Sequence, residues 1–356
     1  MKSVALQRNP YRSDSFLTKA APGIFSKYKE LSRFSGPAQN PKGLREVDRR
    51  AVEFTAFMLS ALDGHPKIKQ VTVFDAKKHD VSCPNEDGRI ISAIVSPPTY
   101  LDWEKAINSK EKANAKNKPD RLDACFQHFG IICKMVEHGA DVVLIKPLKG
   151  ALEGVFTRDP FFAIDGKMYA ANMVSPARKS EEEWIINAIK PPKEVEIEGG
   201  TVMLGRDAVF LGVGDRTNKA AIEWLQGEVG TAREVIPIML KKHVLHLDCA
   251  FCPVEEKDGT KGSALVYEGA FRNPEDLKRL HRMYGDLQVI GKEEYGILGL
   301  NILKLDRNTT IINQGASWMR GMLEKLGISV AELDYSQMVK AEGAWRCTYA
   351  AIKRGK

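Results

Sequence analysis

The sequence predicts an α/β fold built from one short unit that recurs along the chain. From about residue 90 onward, two or three short apolar runs alternate with one stretch of helical periodicity, about every 35–55 residues. Paired runs are separated by tight turns such as Asp165-Gly166, which predicts hairpins where a doubly wound sheet would have crossovers, and no G-x-G-x-x-G follows the first strand. Because one unit cannot bury its own apolar face, we expect the units to close on themselves.

The predicted elements follow in order from their apolar periodicity and turn residues. A helix over 46–62 precedes a strand over 71–74, and a strand over 90–95, an amphipathic helix over 122–137 and a strand over 141–145 come next. The later elements are hairpin strands over 155–164 and 168–173, a helix over 181–189 capped by Ser180 and Glu183, strands over 195–197, 202–204 and 209–213, a helix over 218–226, strands over 244–247 and 264–267, a helix over 274–284, strands over 300–304 and 309–312, a helix over 317–326, and strands over 330–333 and 345–350.

The basic charge lies in one segment. Residues 1–50 contain eleven Lys or Arg and four Asp or Glu, so they carry the whole net charge of +7. Because residues 1–45 are also rich in Ser, Pro and Gly, we expect a basic, weakly ordered arm there. Solvation alone explains such an excess, and contact with an anion or a partner is the alternative. We expect residues 46–89 to form an extension that packs on a catalytic domain of residues 90–356.

The bulk composition is that of an ordinary globular protein. No run of about eighteen apolar residues predicts a membrane span, so we expect a cytoplasmic protein that binds neither membrane nor nucleic acid. Asp14 is the single acidic residue among the first 29, which leaves organelle targeting open. Six scattered cysteines in a long chain are typical of reduced thiols. The close pair Cys249 and Cys252 has no second pair, and we interpret it as two small strand residues.

Four segments place reactive side chains where buried strands should end. Asp159 lies between an apolar run and a proline, and Glu198 comes before two glycines. His246 and Asp248 have period-two spacing, which predicts that both emerge on one face of a strand. Cys347 follows a glycine turn. Taken alone, each has an ordinary structural explanation as a turn residue, a bulge or a small core residue.

Together the four segments fit one type of reaction. A thiol nucleophile, a histidine that moves protons and several carboxylates suit an electrophile that is itself a cation. Guanidinium is the planar cation that carboxylates bind in bidentate geometry. An ester or peptide hydrolase would need one orienting acid and an oxyanion hole instead. The residues therefore indicate chemistry at the guanidinium carbon of arginine or a close relative.

The chain from about residue 90 to its last residue also resembles the amidinotransferase and arginine deiminase superfamily. This resemblance implies a pentein fold, which is a five-bladed α/β propeller of strand-strand-helix-strand units, here with an N-terminal extension. The matching motifs occur in the superfamily's order and approximate spacing, and they are Phe156-Thr-Arg-Asp-Pro160, Glu198-Gly-Gly200, Asp215-Arg-Thr-Asn218, His246-Leu-Asp248 and Gly343-Ala-Trp-Arg-Cys347.

The resemblance implies a role for each matched residue. Cys347 resembles the nucleophile that forms a covalent amidino-thioether. His246 resembles the residue that protonates the leaving amine and later activates water. Asp159 and Asp248 resemble the pair that holds the guanidinium nitrogens. Glu198 resembles the catalytic acid that helps to bind the guanidinium and to poise the reaction.

The resemblance extends to the far end of the substrate, with two departures. Arg216 and Arg178 resemble the arginines that bind a substrate α-carboxylate. Thr201 stands where the superfamily usually has an acid, and Gly343-Ala344 stands where it has two glycines. We expect the first to change the surroundings of the site and the second to alter the loop before the nucleophile, without removing a residue that the chemistry needs.

The resemblance implies a cysteine-dependent hydrolase that converts arginine or a derivative into a ureido product such as citrulline. An arginine amidinotransferase, a dimethylarginine dimethylaminohydrolase and a catalytically idle binding or regulatory protein are the alternatives. Glu198, where other branches have a shorter Asp, resembles the hydrolytic branches, and Asp248 resembles the deiminases and transferases. We expect a small guanidino substrate as partner, no cofactor and no metal, and the formation of a homo-oligomer is left open.

Overall fold

A computed structural model describes residues 15–33, 48–103, 109–242, 244–255 and 261–355. Residues 1–14 and 34–45 of the expected arm lie outside these ranges. The α-helices of the described residues are α1 (Ser15–Leu31), α2 (Arg49–Ala61), α3 (Ser109–Ala113), α4 (Arg121–Glu137), α5 (Ala220–Val229), α6 (Pro274–Met283), α7 (Lys292–Gly296), α8 (Ser317–Lys325) and α9 (Ser336–Val339). No helix in this part of the chain is long and apolar enough to cross a membrane.

The strands alternate with these helices along most of the chain. They are β1 (Ile68–Val71), β2 (Phe74–Asp75), β3 (Ile90–Val95), β4 (Asp141–Ile145), β5 (Phe161–Ile164), β6 (Lys167–Ala170), β7 (Ile185–Ile186), β8 (Val202–Leu204), β9 (Ala208–Val213), β10 (Glu234–Met239), β11 (Phe251–Glu255), β12 (Ser263–Val266), β13 (Asp286–Val289), β14 (Leu303–Asp306), β15 (Thr309–Asn313), β16 (Ser329–Leu333) and β17 (Ala350–Arg354).

Three sheets repeat one arrangement. In β8-β9-β10, β11-β12-β13 and β14-β15-β16 the first two strands are antiparallel and the third is parallel to the second. One helix, α5, α6 or α8, connects the second strand to the third. A parallel pair needs a long crossover whereas an antiparallel pair needs only a turn, so this order follows from the lengths of the connections. The predicted strand-strand-helix-strand unit is confirmed in these three sheets.

A fourth sheet has the same arrangement with strands from distant parts of the chain. Strand β17 is antiparallel to β3, β3 is parallel to β4, and α4 connects β3 to β4. Strand β1 extends the sheet by pairing in parallel with β4. Because β17 directly follows the segment that contains Cys347, this pairing fixes the candidate nucleophile against the first unit of the fold.

The fifth unit is smaller. Strands β5 and β6 form the antiparallel hairpin predicted around Asp165-Gly166, and Asp165 adopts a positive φ of 49° in the turn. A single parallel bridge joins Tyr169 to Ile189, where the other sheets have a third strand. The described strands therefore form a mixed α/β fold, while a count of five equal blades is not confirmed.

The helix predicted over 181–189 is wrong. The structure has a 3₁₀ helix over Pro176–Trp184, followed by strand β7, which pairs with β2. Arg178 and Glu181 are both buried there and joined by an ion pair, and Asn187 has a positive φ of 60°. A left-handed residue cannot continue an α-helix, and the pairing of β7 with β2 provides hydrogen bonds of another kind.

Two predicted strands close to the site are also wrong. Residues 244–247 form no strand. His246 itself is extended, but a 3₁₀ turn over Leu247–Cys249 begins directly after it. In the segment predicted over 345–350, β17 begins only at the last residue, and Cys347 lies in the turn before it. In both places buried polar side chains find their partners in turns, which satisfy the backbone without a sheet ladder.

Strand β10 has no counterpart among the predicted elements. It contains Pro237, which cannot donate a hydrogen bond to a ladder and therefore argues against a strand in the sequence. In the structure β10 lies at the edge of its sheet, where a proline is tolerated. The edge position thus explains how β10 can form a strand although Pro237 argues against one in the sequence.

Part of the arm that we expected to be weakly ordered is helical. Helix α1 packs against α2 and α4, with Ile24 and Leu31 buried in the core. The ring of Tyr28 stacks on Phe126 of α4 at 4.1 Å between centroids. The spacing of these residues by three or four positions gives α1 an apolar face, which offsets the cost of ordering a segment rich in polar residues.

A buried carboxylate ties the N-terminal extension to the rest of the fold. Glu86 accepts hydrogen bonds from Arg346 Nη1 and Nη2 at 2.6 and 2.7 Å, and from Arg158 Nη2 at 3.5 Å. It also accepts one from the backbone N–H of Leu204 at 3.1 Å. Burial raises the pKa of Glu86, but the two arginines outweigh it and hold the pKa at about 2. Glu86 is therefore an anion paired with two buried cations.

We predict that Glu86→Gln lowers the free energy of unfolding by about 3–5 kcal/mol, because it leaves Arg158 and Arg346 buried without a counter-charge. Urea denaturation followed by circular dichroism measures this change. The matched control is Asp80→Asn, which removes an exposed ion pair with Lys353 and should cost at most about 1 kcal/mol. Equal losses in both variants would contradict the prediction.

Candidate active site

Cys347 lies in a buried turn directly before β17. Its carbonyl oxygen accepts a hydrogen bond from the backbone N–H of Arg158 at 3.1 Å. The turn packs on an aromatic pair, because the rings of Tyr335 and Trp345 stack at 3.8 Å between centroids. The Tyr335 hydroxyl also hydrogen-bonds the Thr348 hydroxyl at 2.9 Å. These contacts place the sulfur at one position in the interior.

His246 and Glu198 form a buried ion pair. Nε2 of His246 lies 2.7 Å from Oε2 of Glu198, and both side chains are almost fully inaccessible. Burial lowers the pKa of His246, but Asp159 and Glu198 outweigh it and raise the pKa above its usual value. Burial conversely raises the pKa of Glu198, and the partner His246 brings it down to about 2. Both shifts favour the charged pair of an imidazolium and a carboxylate.

Two polar atoms at the centre of the site have no hydrogen-bond partner among the described residues. They are Nδ1 of His246 and Oδ1 of Asp159, which lie 3.5 Å apart. Gly200 makes this approach sterically feasible, because a Cβ there would lie 2.6 Å from His246 Nδ1 and 2.9 Å from Asp159 Oδ1. A buried donor and acceptor left unsatisfied are costly, so they indicate a place for a ligand that bonds to both.

Asp248 lies beside the cysteine sulfur. Its Oδ2 is 3.9 Å from Cys347 Sγ, and its Oδ1 is 3.5 Å from the thiol of Cys249. Burial raises the pKa of Asp248 despite the nearby His246 and Arg346. For Cys347, a hydrogen bond with Cys249 lowers the pKa, but burial together with Asp248 and Asp159 raises it overall. The sulfur of the unliganded site is therefore biased towards the neutral thiol.

The two arginines expected to bind a carboxylate differ in how their N–H groups are used. Arg178 is saturated, because it donates to both carboxylate oxygens of Glu181 and, at 2.5 Å, to Oδ2 of Asp159. Burial raises the pKa of Glu181 to about 7 in spite of this partner. Arg216 makes only long contacts of 3.4 Å to the two oxygens of Glu198. Arg178 thus orients Asp159, whereas Arg216 keeps N–H groups for a further ligand.

The structure brings together the seven residues singled out in the sequence, although on different elements from those expected. Asn301 belongs to the same cluster and was not anticipated, since it follows no motif. It donates to Cys347 Sγ at 3.1 Å. Glu86 was also missed, because an isolated acid in an extension without recognised motifs carries no signal. Only its contacts with the arginines beside Asp159 and Cys347 reveal it.

The remaining expectations for the site concern cysteines, metals and the departures from the family pattern. All six cysteines are free thiols. The Cys252 thiol donates a hydrogen bond to the Pro253 carbonyl, and the Cys249 thiol donates one to Asp248. Among the described residues, no group of three or more His, Cys, Asp or Glu is placed to hold a metal ion. Thr201, which stands in place of an acid, donates to the Glu198 carbonyl at 2.6 Å and contacts the Thr217 hydroxyl at 2.8 Å.

Comparison with known proteins shows similarity to arginine-modifying enzymes. The arginine deiminase family model matches residues 133–272, a range that contains Asp159, Glu198, His246 and Asp248. The fold matches the N-terminal domain of ArgZ, a cyanobacterial arginine dihydrolase, with a TM-score of 0.65, 20% identity and coverage of 74% of this chain and 98% of the other. The chain is thus similar to the arginine deiminase family in sequence over residues 133–272 and to the ArgZ domain in fold.

The chain is also similar to other proteins in sequence or in fold. DDAH from Pseudomonas aeruginosa, in complex with citrulline, matches with a TM-score of 0.61, 19% identity and coverage of 74% and 99% of the two chains. The uncharacterized protein YkgA of Bacillus subtilis (strain 168) is 29% identical over 286 residues, which cover 78% of this chain and 97% of YkgA. The bifunctional arginine dihydrolase/ornithine cyclodeaminase AgrE of Nostoc sp. is 27% identical over 273 residues, covering 72% of this chain but only 37% of AgrE.

We predict that Glu198→Gln lowers the pKa of His246, because a neutral amide no longer stabilises the imidazolium while burial still disfavours it. Titration of the His246 imidazole by nuclear magnetic resonance measures this shift. In the wild type, the raised pKa of His246 stabilises the folded protein at pH values below the unfolded-state pKa of this histidine. This stabilisation is lost as the pH rises through the folded-state pKa. In the variant that loss should therefore occur at lower pH.

The control for this titration is Glu183→Gln, which changes an exposed acid on the 3₁₀ helix near the site. It should leave the pKa of His246 where it is in the wild type. An unchanged titration of His246 in Glu198→Gln would show that the ion pair does not set the protonation state of the histidine.

Proposed function

We propose that this protein is a cysteine-dependent hydrolase of a guanidino compound, arginine or a derivative. In this proposal it releases ammonia or an amine and gives a ureido product such as citrulline. The observation that carries the proposal concerns two buried atoms, His246 Nδ1 and Asp159 Oδ1, in one cluster with Cys347. They lie 3.5 Å apart, and neither has a hydrogen-bond partner among the described residues. A planar cation with several N–H groups can donate to Asp159 Oδ1, and the nitrogen that leaves during the reaction can accept the proton of His246 Nδ1.

The carboxylates provide the binding of the cation. Asp159 keeps Oδ1 for a substrate N–H because Arg178 occupies Oδ2. Asp248 lies next to the sulfur and can accept from a second nitrogen. Glu198 contributes negative charge behind His246. Several buried acids grouped around one site favour a cationic ligand, since its binding relieves their mutual repulsion.

The first half of the reaction begins with Cys347. Entry of a guanidinium cation stabilises the thiolate electrostatically and so opposes the groups that raise the pKa of the thiol, whose proton is released to solvent. The sulfur then attacks the guanidinium carbon and forms a C–S bond. Protonated His246 transfers a proton to the departing nitrogen, the C–N bond breaks, and ammonia or an amine leaves an amidino-thioether on Cys347.

The second half restores the enzyme. Neutral His246, which has given up its proton, takes one from a water molecule that attacks the amidino carbon. The C–S bond then breaks, the ureido product forms, and Cys347 departs as a thiolate. The ion pair with Glu198 favours the return of the proton to His246. If a second amine attacked in place of water, the same site would act as an amidinotransferase.

Arg216 is proposed to bind an α-carboxylate at the far end of the substrate. Its contacts with Glu198 are long, and its side chain is 9% accessible at the edge of the buried cluster. Arginine presents a rigid fork that matches a carboxylate in bidentate geometry. Arg178, in contrast, is assigned to positioning, because Glu181 and Asp159 use its N–H groups.

We also propose that the five strand-strand-helix-strand units close into a five-bladed propeller, with residues 90–356 as the catalytic domain. The four larger sheets share one strand order, and β5-β6 with the Tyr169–Ile189 bridge is a reduced version of it. The pairing of β17 with β3 supports closure. Residues 46–89 are then a supporting extension, which acts on the site through Glu86.

A panel of substrates tests the reaction itself. Purified protein is incubated with arginine, dimethylarginine and arginine plus an acceptor amine, and ammonia, dimethylamine, citrulline and new guanidines are measured. We expect one ammonia and one citrulline per arginine. Two ammonia per arginine would assign a dihydrolase reaction, as named for AgrE, and a new guanidine would assign an amidinotransferase. If no substrate gave a product, the alternative of a catalytically idle binding or regulatory protein would remain.

We predict that Cys347→Ser reduces turnover at least about 10³-fold while substrate binding persists, because a hydroxyl is a far weaker nucleophile than a thiolate. Acid quench of the wild type during turnover should show added mass on the peptide that contains Cys347. The control is Cys252→Ser, which should retain activity. Added mass on Cys249 or Cys252 would overturn the choice of nucleophile.

We predict that Arg216→Lys lowers kcat/KM for arginine about 10- to 100-fold, since it loses charge-assisted bidentate hydrogen bonds. Agmatine, which lacks the carboxylate, should be a poor substrate of the wild type and should be little affected by the change. Steady-state kinetics with both substrates measure this, with the surface variant Arg279→Ala as control. Equal use of arginine and agmatine, with Arg216→Ala silent for both, would remove the carboxylate contact from the proposal.

A further inference from the structure

Asn301 lies directly behind the sulfur of Cys347, on a segment that none of the recognised motifs includes. It belongs to the loop before β14 and is 1% exposed. Its contacts reach both the reactive atom and the backbone that carries it. Such a residue can influence the nucleophile without touching the substrate.

The side-chain amide of Asn301 makes three hydrogen bonds. Oδ1 accepts from the backbone N–H of Arg346 at 2.9 Å and from that of Cys347 at 3.3 Å. Nδ2 donates to Cys347 Sγ at 3.1 Å. One amide therefore fixes the position of the turn and contacts the sulfur at the same time.

The orientation of this amide follows from its partners. Backbone N–H groups can only donate, so the two that face Asn301 require its oxygen. The NH₂ group must then face the sulfur, and it can only donate to it. A fixed donor favours the sulfur as an acceptor, and a thiolate is the stronger acceptor of the two protonation states.

We propose that Asn301 is a further catalytic residue, whose amide N–H stabilises the thiolate of Cys347 and holds it in place for attack. The titratable groups that act on Cys347 are Cys249, Asp248 and Asp159, and Tyr335 is also close. The two carboxylates disfavour a thiolate before the cation arrives. The donor from Asn301 counteracts them at the reacting atom.

The test is alkylation of Cys347 by iodoacetamide as a function of pH, followed by mass spectrometry of the peptide that contains Cys347. The variant Asn301→Asp keeps an oxygen for the two backbone N–H groups and replaces the donor with a carboxylate oxygen. We expect its alkylation midpoint to move to higher pH and its rate at pH 7 to fall about tenfold or more, since each pKa unit changes the thiolate fraction tenfold.

The matched control is Asn313→Asp. Asn313 is a buried asparagine on β15, and its Nδ2 donates to the Ile297 carbonyl at 3.5 Å. It tests whether any added buried carboxylate gives the same result. We expect its alkylation profile to match that of the wild type, with both variants checked for folding by circular dichroism.

A second measurement needs no variant to fold. In wild-type protein, the NH₂ resonances of Asn301 should titrate with the same midpoint as the alkylation of Cys347. Resonances that do not follow the thiol, or a folded Asn301→Asp with an unchanged alkylation profile, would overturn the proposal.

The activity aspect of this inference rests on the proposed function, but alkylation requires no guanidino substrate. An altered alkylation profile in Asn301→Asp without turnover of any guanidine by the wild type would retain the role of Asn301 at the thiol and reject the proposed function. Turnover with an unchanged profile would do the reverse.

Discussion

One buried carboxylate, Glu86, connects the parts of the chain on which the site depends. It pairs with Arg158 and Arg346, which directly precede Asp159 and Cys347 in sequence. A buried anion between two buried cations is stable only while all three are present, so the network imposes one relative position on the two loops. Glu86 lies 260 residues before Arg346 in the sequence. A distant acid thus determines how closely Asp159 and Cys347 approach.

Three buried carboxylates surround the histidine in front of this network. Asp159, Glu198 and Asp248 converge on one histidine, and Arg216 contacts Glu198 only at 3.4 Å. The resulting preference for positive charge raises the pKa of His246 and also that of the Cys347 thiol. For the proposed reaction these two effects have different uses, since one keeps a proton ready for the leaving group and the other delays nucleophile formation until a cation is bound.

The sequence predicts which polar side chains lie together here better than it predicts local backbone structure. Strands β3, β4 and β8 and most helices lie where apolar periodicity placed them, because burial of one face is a local pattern. The segments around His246 and Cys347 were predicted as strands and are turns. Their conformation follows from long-range contacts with Glu198 and Asn301, which no window of sequence contains. The same reason hid Asn301 and Glu86, since each acquires significance only from partners far along the chain.

The pairing of β17 with β3 has a consequence for biosynthesis. The hydrogen bond from Cys83 to Ala351 spans 268 residues, and Cys347 lies immediately before the strand that makes this closure. A nascent chain on the ribosome must therefore emerge beyond residue 354 before the turn around Cys347 can take its final shape. Until then the thiol has neither Asn301 nor the Arg346–Glu86 pair correctly placed around it. The surroundings of Cys347 thus form only after the whole segment from β3 to β17 has been synthesised.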